Sequence, residues 1–360
     1  MMKKQIFLFL TVLLFGVSAS VQAQKSFSVY GIGFYNLENL FDITHDEGKN
    51  DYEFLPDGTN KWTEMKYTNK LHNMATVLAE MGTDVLANVG CAVIGVSEVE
   101  NAHCLADLCE QPELKARNFQ FAHIEGPDRR GVDCGLLYNP SLFEVRDMTL
   151  VPYVYELPAD SNRATRGFLT VSGTLAGEHV AFIVCHLPSR FSGSYYRELG
   201  AKQIRVVKDS LLREDPACKV FVMGDMNDDP TNKSMYDELG AKEDMEKVGE
   251  GDLYNPWYNV LVKQNTGTLR YDGKWNLFDQ IVFTGNMIDK ERKYESLSYL
   301  RHEVFNRDFL IQQEGQYKGN PLRTHGGGVW LNGYSDHFPT IVYFAKEVPD
   351  RPDRPAQPTN

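Results

Sequence analysis

The chain has 360 residues, 42% of them hydrophobic and 24% charged, which is ordinary composition for one large globular domain or two small ones. Its formal net charge of −12 repels polyanions at long range and argues against tight binding of duplex DNA through a broad basic surface. The charge does not exclude an enzyme that acts on nucleic acid at a locally basic, metal-loaded site.

The first 23 residues are typical of a secretory signal peptide. Lys3 and Lys4 make the start basic, residues 6–17 form a short apolar core, and Val21-Gln22-Ala23 has the usual cleavage spacing. The apolar core is short for a bilayer span, so a membrane anchor is the less favoured interpretation. We expect cleavage after Ala23 and export to a periplasm or the cell exterior, without stable insertion into a membrane.

The predicted elements start with a strand at residues 27–35, where apolar and aromatic residues alternate. A polar, glycine-containing loop follows at 42–61. Leu71, Met74 and Leu78 then recur at helical spacing and predict an amphipathic helix over 67–81. Further strands are predicted at 91–97, 119–124, 134–138, 168–175, 180–185, 220–223, 278–283 and 340–344, and a second helix at 195–212.

Strands and helices mix without an abrupt change in composition, so we predict one domain over residues 24–346. Many strands pair across turns, as 168–175 does with 180–185, instead of alternating strictly with helices. This favours an α/β (α+β) sandwich of two mixed sheets with outer helices over a Rossmann-type sheet. Residues 347–360 are proline-rich and charged, and we predict a disordered tail.

Six cysteines are present, and none has the spacing of a zinc site. Cys91, Cys134 and Cys185 fall in apolar strand-like runs, where buried free thiols are common. Because export permits disulfides, Cys104 and Cys109 are the best local candidates for a bridge, although an even count does not fix the pairing.

Polar side chains repeatedly stand where these apolar runs begin or end. Asp225 and Asn227 follow the run 219–223, and Asp336 and His337 directly precede the run 338–344. Taken singly, such residues are more often surface groups or satisfied structural histidines. Taken together, they suit metal-assisted attack of water on a phosphate ester, which needs oxygen ligands, a base and fixed donors. Further residues in this pattern are Asn36, Glu38, Glu98, Arg130, Asp133, His186 and Asp279.

At these positions the chain resembles the endonuclease/exonuclease/phosphatase superfamily, also called DNase I-like. The resemblance covers nearly the whole chain, in the family's order, and implies a four-layer sandwich with two facing sheets. The matching segments are residues 34–42, 95–99, 185–189, 224–227, 278–281 and 335–337.

The resemblance also implies a metal site. Glu98 would be the principal metal carboxylate, Asn36 would lie beside it and hold metal-bound water or phosphate, and Asp336 would complete the site. The expected ion is Mg²⁺, with Mn²⁺ or Ca²⁺ as alternatives.

The catalytic roles follow from the same resemblance. Asp225 would orient or deprotonate the attacking water, with Asn227 helping to hold it. His337 would contact a phosphate oxygen, and Asp279 would fix its tautomer. His186 would donate to another phosphate oxygen.

Two arginines are assigned to substrate binding, each with an alternative. Arg130 would face a phosphate with Asp133 orienting it, or it would form a turn ion pair of little consequence. Arg323 precedes a run of three glycines and would contact phosphate or stabilise its loop.

Five aromatic residues before Asp279 could stack on bases of a single strand, contact a lipid or belong to the core. They are Tyr254, Trp257, Tyr258, Tyr271 and Trp275.

The sequence therefore predicts an exported, monomeric, Mg²⁺-dependent phosphoesterase that hydrolyses phosphodiester bonds, in the first instance a nuclease. The alternatives are an enzyme for phosphoinositide- or sphingomyelin-type lipids or small phosphate esters, and a catalytically silent binding module on the same fold.

Overall fold

The structure, a computed structural model, describes residues 26–160, 162–271 and 273–348. The predicted signal peptide and residues 349–360 of the predicted tail lie outside the described residues. Glu347 and Val348 belong to the last strand, so the sheet extends two residues beyond the predicted boundary of the domain. Among the described residues, no helix combines the length and the apolar character needed to cross a membrane.

The described helices are α1 (Glu64–Glu80), α2 (Ala102–Cys109), α3 (Ser194–Glu214) and α4 (Tyr258–Gln264). The described strands are β1 (Ser26–Leu40), β2 (Cys91–Val99), β3 (Gln120–His123), β4 (Asp133–Tyr138), β5 (Phe143–Val151), β6 (Phe168–Leu175), β7 (Glu178–His186), β8 (Lys219–Asp225), β9 (Ala241–Lys242), β10 (Leu253–Tyr254), β11 (Leu269–Tyr271), β12 (Lys274–Asn276), β13 (Asp279–Thr284), β14 (Ser298–Val304), β15 (His325–Gly326), β16 (Val329–Trp330) and β17 (Thr340–Val348).

Two mixed sheets form the body of the molecule. The first has the strand order β14-β17-β1-β2-β4-β3, and the second has the order β5-β6-β7-β8-β13-β10-β9. Strand β1 runs antiparallel to β17 and parallel to β2, and β7 runs parallel to β8. The prediction of two mixed sheets is thereby confirmed.

The sheets pack face to face across an aromatic core. Phe221 of β8 meets Phe344 of β17 with ring centroids 5.1 Å apart. Gly95 of β2 lies so close to β8 that a Cβ there would be 2.5 Å from the Met223 sulfur. Helix α1 packs on the first sheet and α3 on the second, which gives the four layers of a DNase I-like sandwich.

The strands and helices that were not predicted from the sequence have weak apolar patterns. Strand β5 is mostly exposed and pairs only with β6, and it carries Glu144, Arg146 and Asp147 at the sheet edge. Charged residues are common on edge strands because they discourage pairing with another molecule. Helices α2 and α4 are short, so few residues report their periodicity. Strand β14 has seven residues, but its Arg301, His302 and Glu303 interrupt the apolar pattern.

The candidate bridge between Cys104 and Cys109 is not formed, because all six cysteines are free thiols. Both residues lie in α2, where five positions rotate the side chains by roughly 140° relative to each other. The Cys104 sulfur instead lies 3.8 Å from a Glu100 carboxylate oxygen.

Candidate active site

The topology brings the polar strand ends together at one edge of the sandwich. Parallel strands β1 and β2 end there, as do β7 and β8, while antiparallel β13 and β17 begin there. In the second sheet Asp225 pairs with Asp279 on one side and with His186 on the other. Residues as far apart in the sequence as Asn36 and Ser335, which are separated by 299 positions, therefore share one small area.

Asp225 is at the centre of this area and is fully buried. Its two oxygens accept hydrogen bonds from the Asn36 carboxamide at 3.1 Å and from the Asn227 backbone N–H at 2.9 Å. Burial raises the pKa of Asp225 to about 7, although nearby His337 works in the opposite direction. A carboxylate that is held in place and titrates near neutrality is suited to act as a general base.

His337 is held by Asp279, with Nδ1 2.6 Å from Oδ2. Burial opposes a charge on the imidazole, but the Asp279 carboxylate outweighs it and the pKa of His337 rises well above its usual value. Its Nε2 lies 4.0 Å from an oxygen of Asp225. The protonated ring therefore directs an N–H toward the carboxylate cluster, where a phosphate oxygen could accept it.

His186 differs from His337 in protonation: its imidazole is neutral, whereas that of His337 is protonated. Its Nε2 lies 3.6 Å from Asp225 and 3.8 Å from Glu98. Burial, assisted by the charges of Arg166 and Arg130, lowers the pKa of His186 well below its usual value. The site thus combines one neutral and one charged imidazole.

The backbone of Glu98, at the end of β2, has a strained conformation that sets the direction of its side chain. Its φ of 59° lies in the left-handed region, and the pairing of β2 with β4 shifts register between Ser97 and Val99. Such a conformation costs about 1–3 kcal/mol for a residue other than glycine and is typical of functional sites. The Asn39 N–H donates to one Glu98 oxygen at 3.1 Å and fixes the carboxylate.

The residues present fit a divalent metal. Glu98 and Asp225 have only histidines as basic groups within 4 Å in the described part of the chain, so their negative charge is not balanced by lysine or arginine. Asn36 brings a carboxamide to the same place, oriented by the Glu38 N–H on its oxygen at 2.8 Å. Carboxylate and amide oxygens are the ligands that Mg²⁺, Mn²⁺ and Ca²⁺ accept.

Arg323 and Asp336 lie at the margin of this cluster and bind each other. Arg323 Nη2 is 2.9 Å from Asp336, and its Nε is 3.2 Å from Glu38. Glu38 also accepts the Thr324 N–H at 2.6 Å, and burial raises the pKa of Glu38 to about 7. These contacts favour the loop-stabilising alternative for Arg323 and give Asp336 a cationic partner.

Asp133 does not orient Arg130, and the alternative of a turn ion pair is the one found, with Asp128 as the partner. Asp133 accepts the Gly126 N–H at 3.0 Å and lies 3.3 Å from His123, so the turn after β3 uses its carboxylate. Arg130 has instead a loose contact with Asp128 at 3.7 Å, and 54% of its side chain is exposed. Arg130 does reach the cleft that contains the catalytic candidates.

A supporting arginine, Arg166, was missed from the sequence. It is buried, pairs with Asp128 at 3.1 Å, and donates to the backbone carbonyls of His186 and Leu187 at 2.8 and 3.3 Å. It thereby fixes the end of β7, where His186 lies. The signal was available, because Arg166 stands just before the apolar run of β6, as the other site residues stand beside theirs.

Ser335 is a second supporting residue that sequence reasoning left without a role. Its hydroxyl donates to the Asn36 carbonyl at 2.7 Å and accepts the His337 N–H at 3.2 Å. The hydroxyl thus joins strand β1, which carries Asn36, to the segment that carries His337.

The catalytic candidates line one open cleft with a volume of about 520 Å³. Its floor has Glu98, His186, Asp225, Asn227 and His337, and one wall has Arg129, Arg130, Tyr155 and Arg163. A space of this size accommodates a ligand considerably larger than a single phosphate group.

Two of the five aromatic residues proposed for base or lipid contact are core residues. Trp257 is fully buried, with its ring N–H donating to Ile281, and Tyr254 packs against Phe283. Tyr271 is 63% exposed, whereas Trp275 packs near Phe338 with ring centroids 6.0 Å apart. The core alternative therefore holds for Tyr254 and Trp257.

Comparison with known proteins shows the family. Residues 31–346 match the model of the endonuclease/exonuclease/phosphatase family, and the chain belongs to it. Members of this family act on phosphate esters, generally with a divalent metal, so the chain is a hydrolase of this type. No curated protein matches the sequence significantly.

Solved structures agree on the fold at low sequence identity. A structure of ANGEL2, described as a 2′,3′-cyclic phosphatase, has a TM-score of 0.56 at 12% identity, covering 91% of this chain and 100% of the other. A Bacteroides thetaiotaomicron mannosyl-6-phosphatase has a TM-score of 0.52 at 16% identity, covering 87% and 98%. Danio rerio TDP2 complexed with single-strand DNA product has a TM-score of 0.51 at 14% identity, covering 88% and 99%.

Proposed function

We propose that this member of the endonuclease/exonuclease/phosphatase family is an exported, Mg²⁺-dependent enzyme that hydrolyses phosphodiester bonds, with nucleic acid as its substrate class. The observation that carries the proposal is the convergence of Asp225, His337, His186 and Glu98 on the floor of one open cleft. Export rests on residues 1–23 of the sequence alone.

The groups of the floor account for the steps of hydrolysis. A water held by Asp225 and Asn227 attacks phosphorus, and its proton passes to Asp225. The bond from phosphorus to the leaving oxygen breaks, and the leaving group departs as an alkoxide that takes a proton from solvent. His337 as imidazolium and His186 as neutral imidazole donate hydrogen bonds to the phosphoryl oxygens as negative charge develops on them. Glu98 and Asn36 would hold Mg²⁺, which when bound supplies positive charge beside the phosphate.

Phosphodiesters are favoured by the shape of the cleft. It is open, has a volume of about 520 Å³ and is lined by arginines as well as by the catalytic candidates, so a substrate with a group on each ester oxygen of the phosphate has room. A single-strand DNA product accompanies one structure of the same fold, and the fold therefore admits such a ligand.

Small phosphate esters are the second candidate. The net charge of −12 disfavours long polyanions, and a mannosyl-6-phosphatase shares the fold. The lipid alternative loses support, because the aromatic segment that it required contributes Tyr254 and Trp257 to the core.

The test is hydrolysis of a substrate panel with Mg²⁺ and with EDTA. The panel comprises a single-stranded oligonucleotide, plasmid DNA, bis-p-nitrophenyl phosphate, mannose 6-phosphate and phospholipid vesicles. Metal-dependent cleavage of the oligonucleotide is the expected result. Cleavage of mannose 6-phosphate alone would replace the first candidate by the second, and silence on the whole panel would support a binding module.

A further inference from the structure

The wall of the cleft contains arginines that the proposed reaction does not use. Arg129 and Arg130 come from the loop after β3, and Arg163 comes from the segment before β6. The two segments are joined by a hydrogen bond of 2.7 Å from Arg129 Nη2 to the Asn162 carbonyl.

This wall is fixed from beneath by a buried ion pair. Asp128 lies 3.1 Å from Arg166, and its carboxylate also accepts the Thr165 hydroxyl at 3.3 Å and the Arg130 N–H at 2.9 Å. Because Asp128 is occupied by these partners, it neutralises Arg130 poorly, and the guanidinium of Arg130 stays 3.7 Å away.

The wall has an excess of positive charge. The three arginines of the wall and Arg166 beneath them make four positive charges. Three of them pair with two carboxylates, Asp128 and Asp160. Arg129 has no carboxylate within 4 Å among residues that the structure describes. In a chain of net charge −12, such a local excess beside a catalytic floor is unusual and marks a place for an anion.

Arg163 is oriented as well as charged. Its guanidinium pairs with Asp160 at 3.2 Å and lies over the rings of Tyr155 and Tyr196, at 5.0 and 4.4 Å from their centroids. A stacked guanidinium loses little further freedom when an anion binds, and its planar fork matches two oxygens of a phosphate.

We propose that Arg129, Arg130 and Arg163 form a subsite for a second phosphate of the substrate, next to the phosphate that reacts. The proposal rests on the proposed function and narrows it to substrates with at least two phosphates, such as oligonucleotides.

The first test compares three dinucleotides, TpT, pTpT and TpTp, of which only the last two have a second phosphate. For the wild type, we expect kcat/KM to be about tenfold higher with one of the two phosphorylated compounds than with TpT. The double variant Arg129→Ala/Arg130→Ala should reduce this advantage to about twofold or less. The control is Arg213→Ala, at an exposed arginine in the last turn of α3. This variant should retain the wild-type advantage of the phosphorylated dinucleotide.

The second test measures binding without turnover. A fluorescent oligothymidylate is titrated onto Asp225→Asn enzyme at several salt concentrations, with and without the two arginine substitutions. Loss of one phosphate contact should make the slope of the logarithm of the association constant against log salt more positive by about 0.7, whatever the sign of the wild-type slope. Arg129→Ala alone serves if the double variant does not give a folded circular dichroism spectrum.

Equal kcat/KM for all three dinucleotides in the wild type, or an unchanged advantage in the double variant, would overturn the subsite. In another outcome, the wild type cleaves none of the three dinucleotides, while the arginine substitutions still change the salt slope of binding. That result would overturn the proposed hydrolysis and leave the subsite in place.

Discussion

At the scale of single residues, the site separates its roles by environment. Asp225 is buried among donors and titrates near neutrality, while His337 is buried against Asp279 and holds its proton more tightly than a free imidazole. Burial, together with the charges of two nearby arginines, lowers the pKa of His186 well below its usual value and favours the neutral imidazole. One base and two donors of different charge thus arise from the neighbours that each residue has.

Asp225→Asn and His337→Ala should each lower kcat by roughly 10²–10⁴-fold while the protein stays folded, because each removes one catalytic group. Steady-state kinetics on bis-p-nitrophenyl phosphate measures this. Asp237→Asn and His72→Ala, at exposed positions, are matched controls and should keep wild-type rates. Rates within tenfold of wild type for Asp225→Asn would remove it as the base.

The pH profile follows from the same pKa shifts. Asp225 acts only when deprotonated, and burial raises its pKa to about 7, so kcat/KM should fall as the pH drops below 7. A bound cation favours the carboxylate, and rising Mg²⁺ should therefore move this acidic limb to lower pH. An acidic limb at one pH for all Mg²⁺ concentrations would contradict this assignment.

Asp279→Asn should make activity decline at a lower pH on the alkaline side of the pH–activity profile. The carboxylate that holds the proton on His337 is lost, so the pKa of His337 falls and activity declines at lower pH than in the wild type. Rate measurements between pH 6 and roughly 10 follow this limb. The same alkaline limb in variant and wild type would show that protonated His337 is not required.

At the scale of elements, two contacts between strand ends hold the site. Arg323 joins the end of β1, through Glu38, to the segment before β17, through Asp336. Glu100, just after β2, accepts the N–H of Asp42, just after β1, at 2.8 Å. Each contact fixes a strand end that carries a functional group.

Arg323→Ala should lower the free energy of unfolding by about 1–2 kcal/mol. Buried Glu38 loses its cationic partner, but the loss is moderated because about half of the Arg323 side chain is exposed to water. Urea unfolding measures the change, and Arg213→Ala should stay within about 0.5 kcal/mol of wild type. An effect of Arg323→Ala no larger than that of the control would mean that Arg323 is free to bind substrate.

Glu100 should make stability depend on pH. Burial raises its pKa to about 8 in the folded state, above its value in the unfolded chain, so the unfolded state binds fewer protons between these values. Stability contributed by this group is therefore full at low pH and declines as the pH rises from about 4.5 to about 8. Glu100→Gln should flatten that decline by on the order of 2 kcal/mol at pH 8, as thermal melts at pH 5 and 8 would show.

The elements also explain what the sequence could predict. The buried strands β2, β7 and β8 have dense apolar runs, so their ends, and with them Glu98, His186 and Asp225, were predictable. The exposed edge strand β5 has no such run. The role of Arg166 depends on carbonyls 20 residues away in sequence, and the capture of Asp336 by Arg323 depends on how two loops fold together.

At the scale of the whole molecule, an acidic chain has one arginine-bearing wall beside a carboxylate-rich floor. Long-range repulsion should make the rate on oligonucleotides rise with moderate salt or Mg²⁺, whereas small neutral or singly charged esters should respond less. The family and the sandwich fold were predictable because the motifs span the chain in order, whereas the substrate depends on wall residues that no motif marks.

The catalytic predictions depend on the proposal that the floor of the cleft is a metal-dependent phosphodiesterase centre. The most direct measurement is cleavage of a single-stranded oligonucleotide by wild-type and Asp225→Asn protein, first in EDTA and then after addition of Mg²⁺. The account predicts cleavage by the wild type only after Mg²⁺ is added, and almost none by the variant under either condition. Cleavage in EDTA, or equal cleavage by the variant, would contradict it.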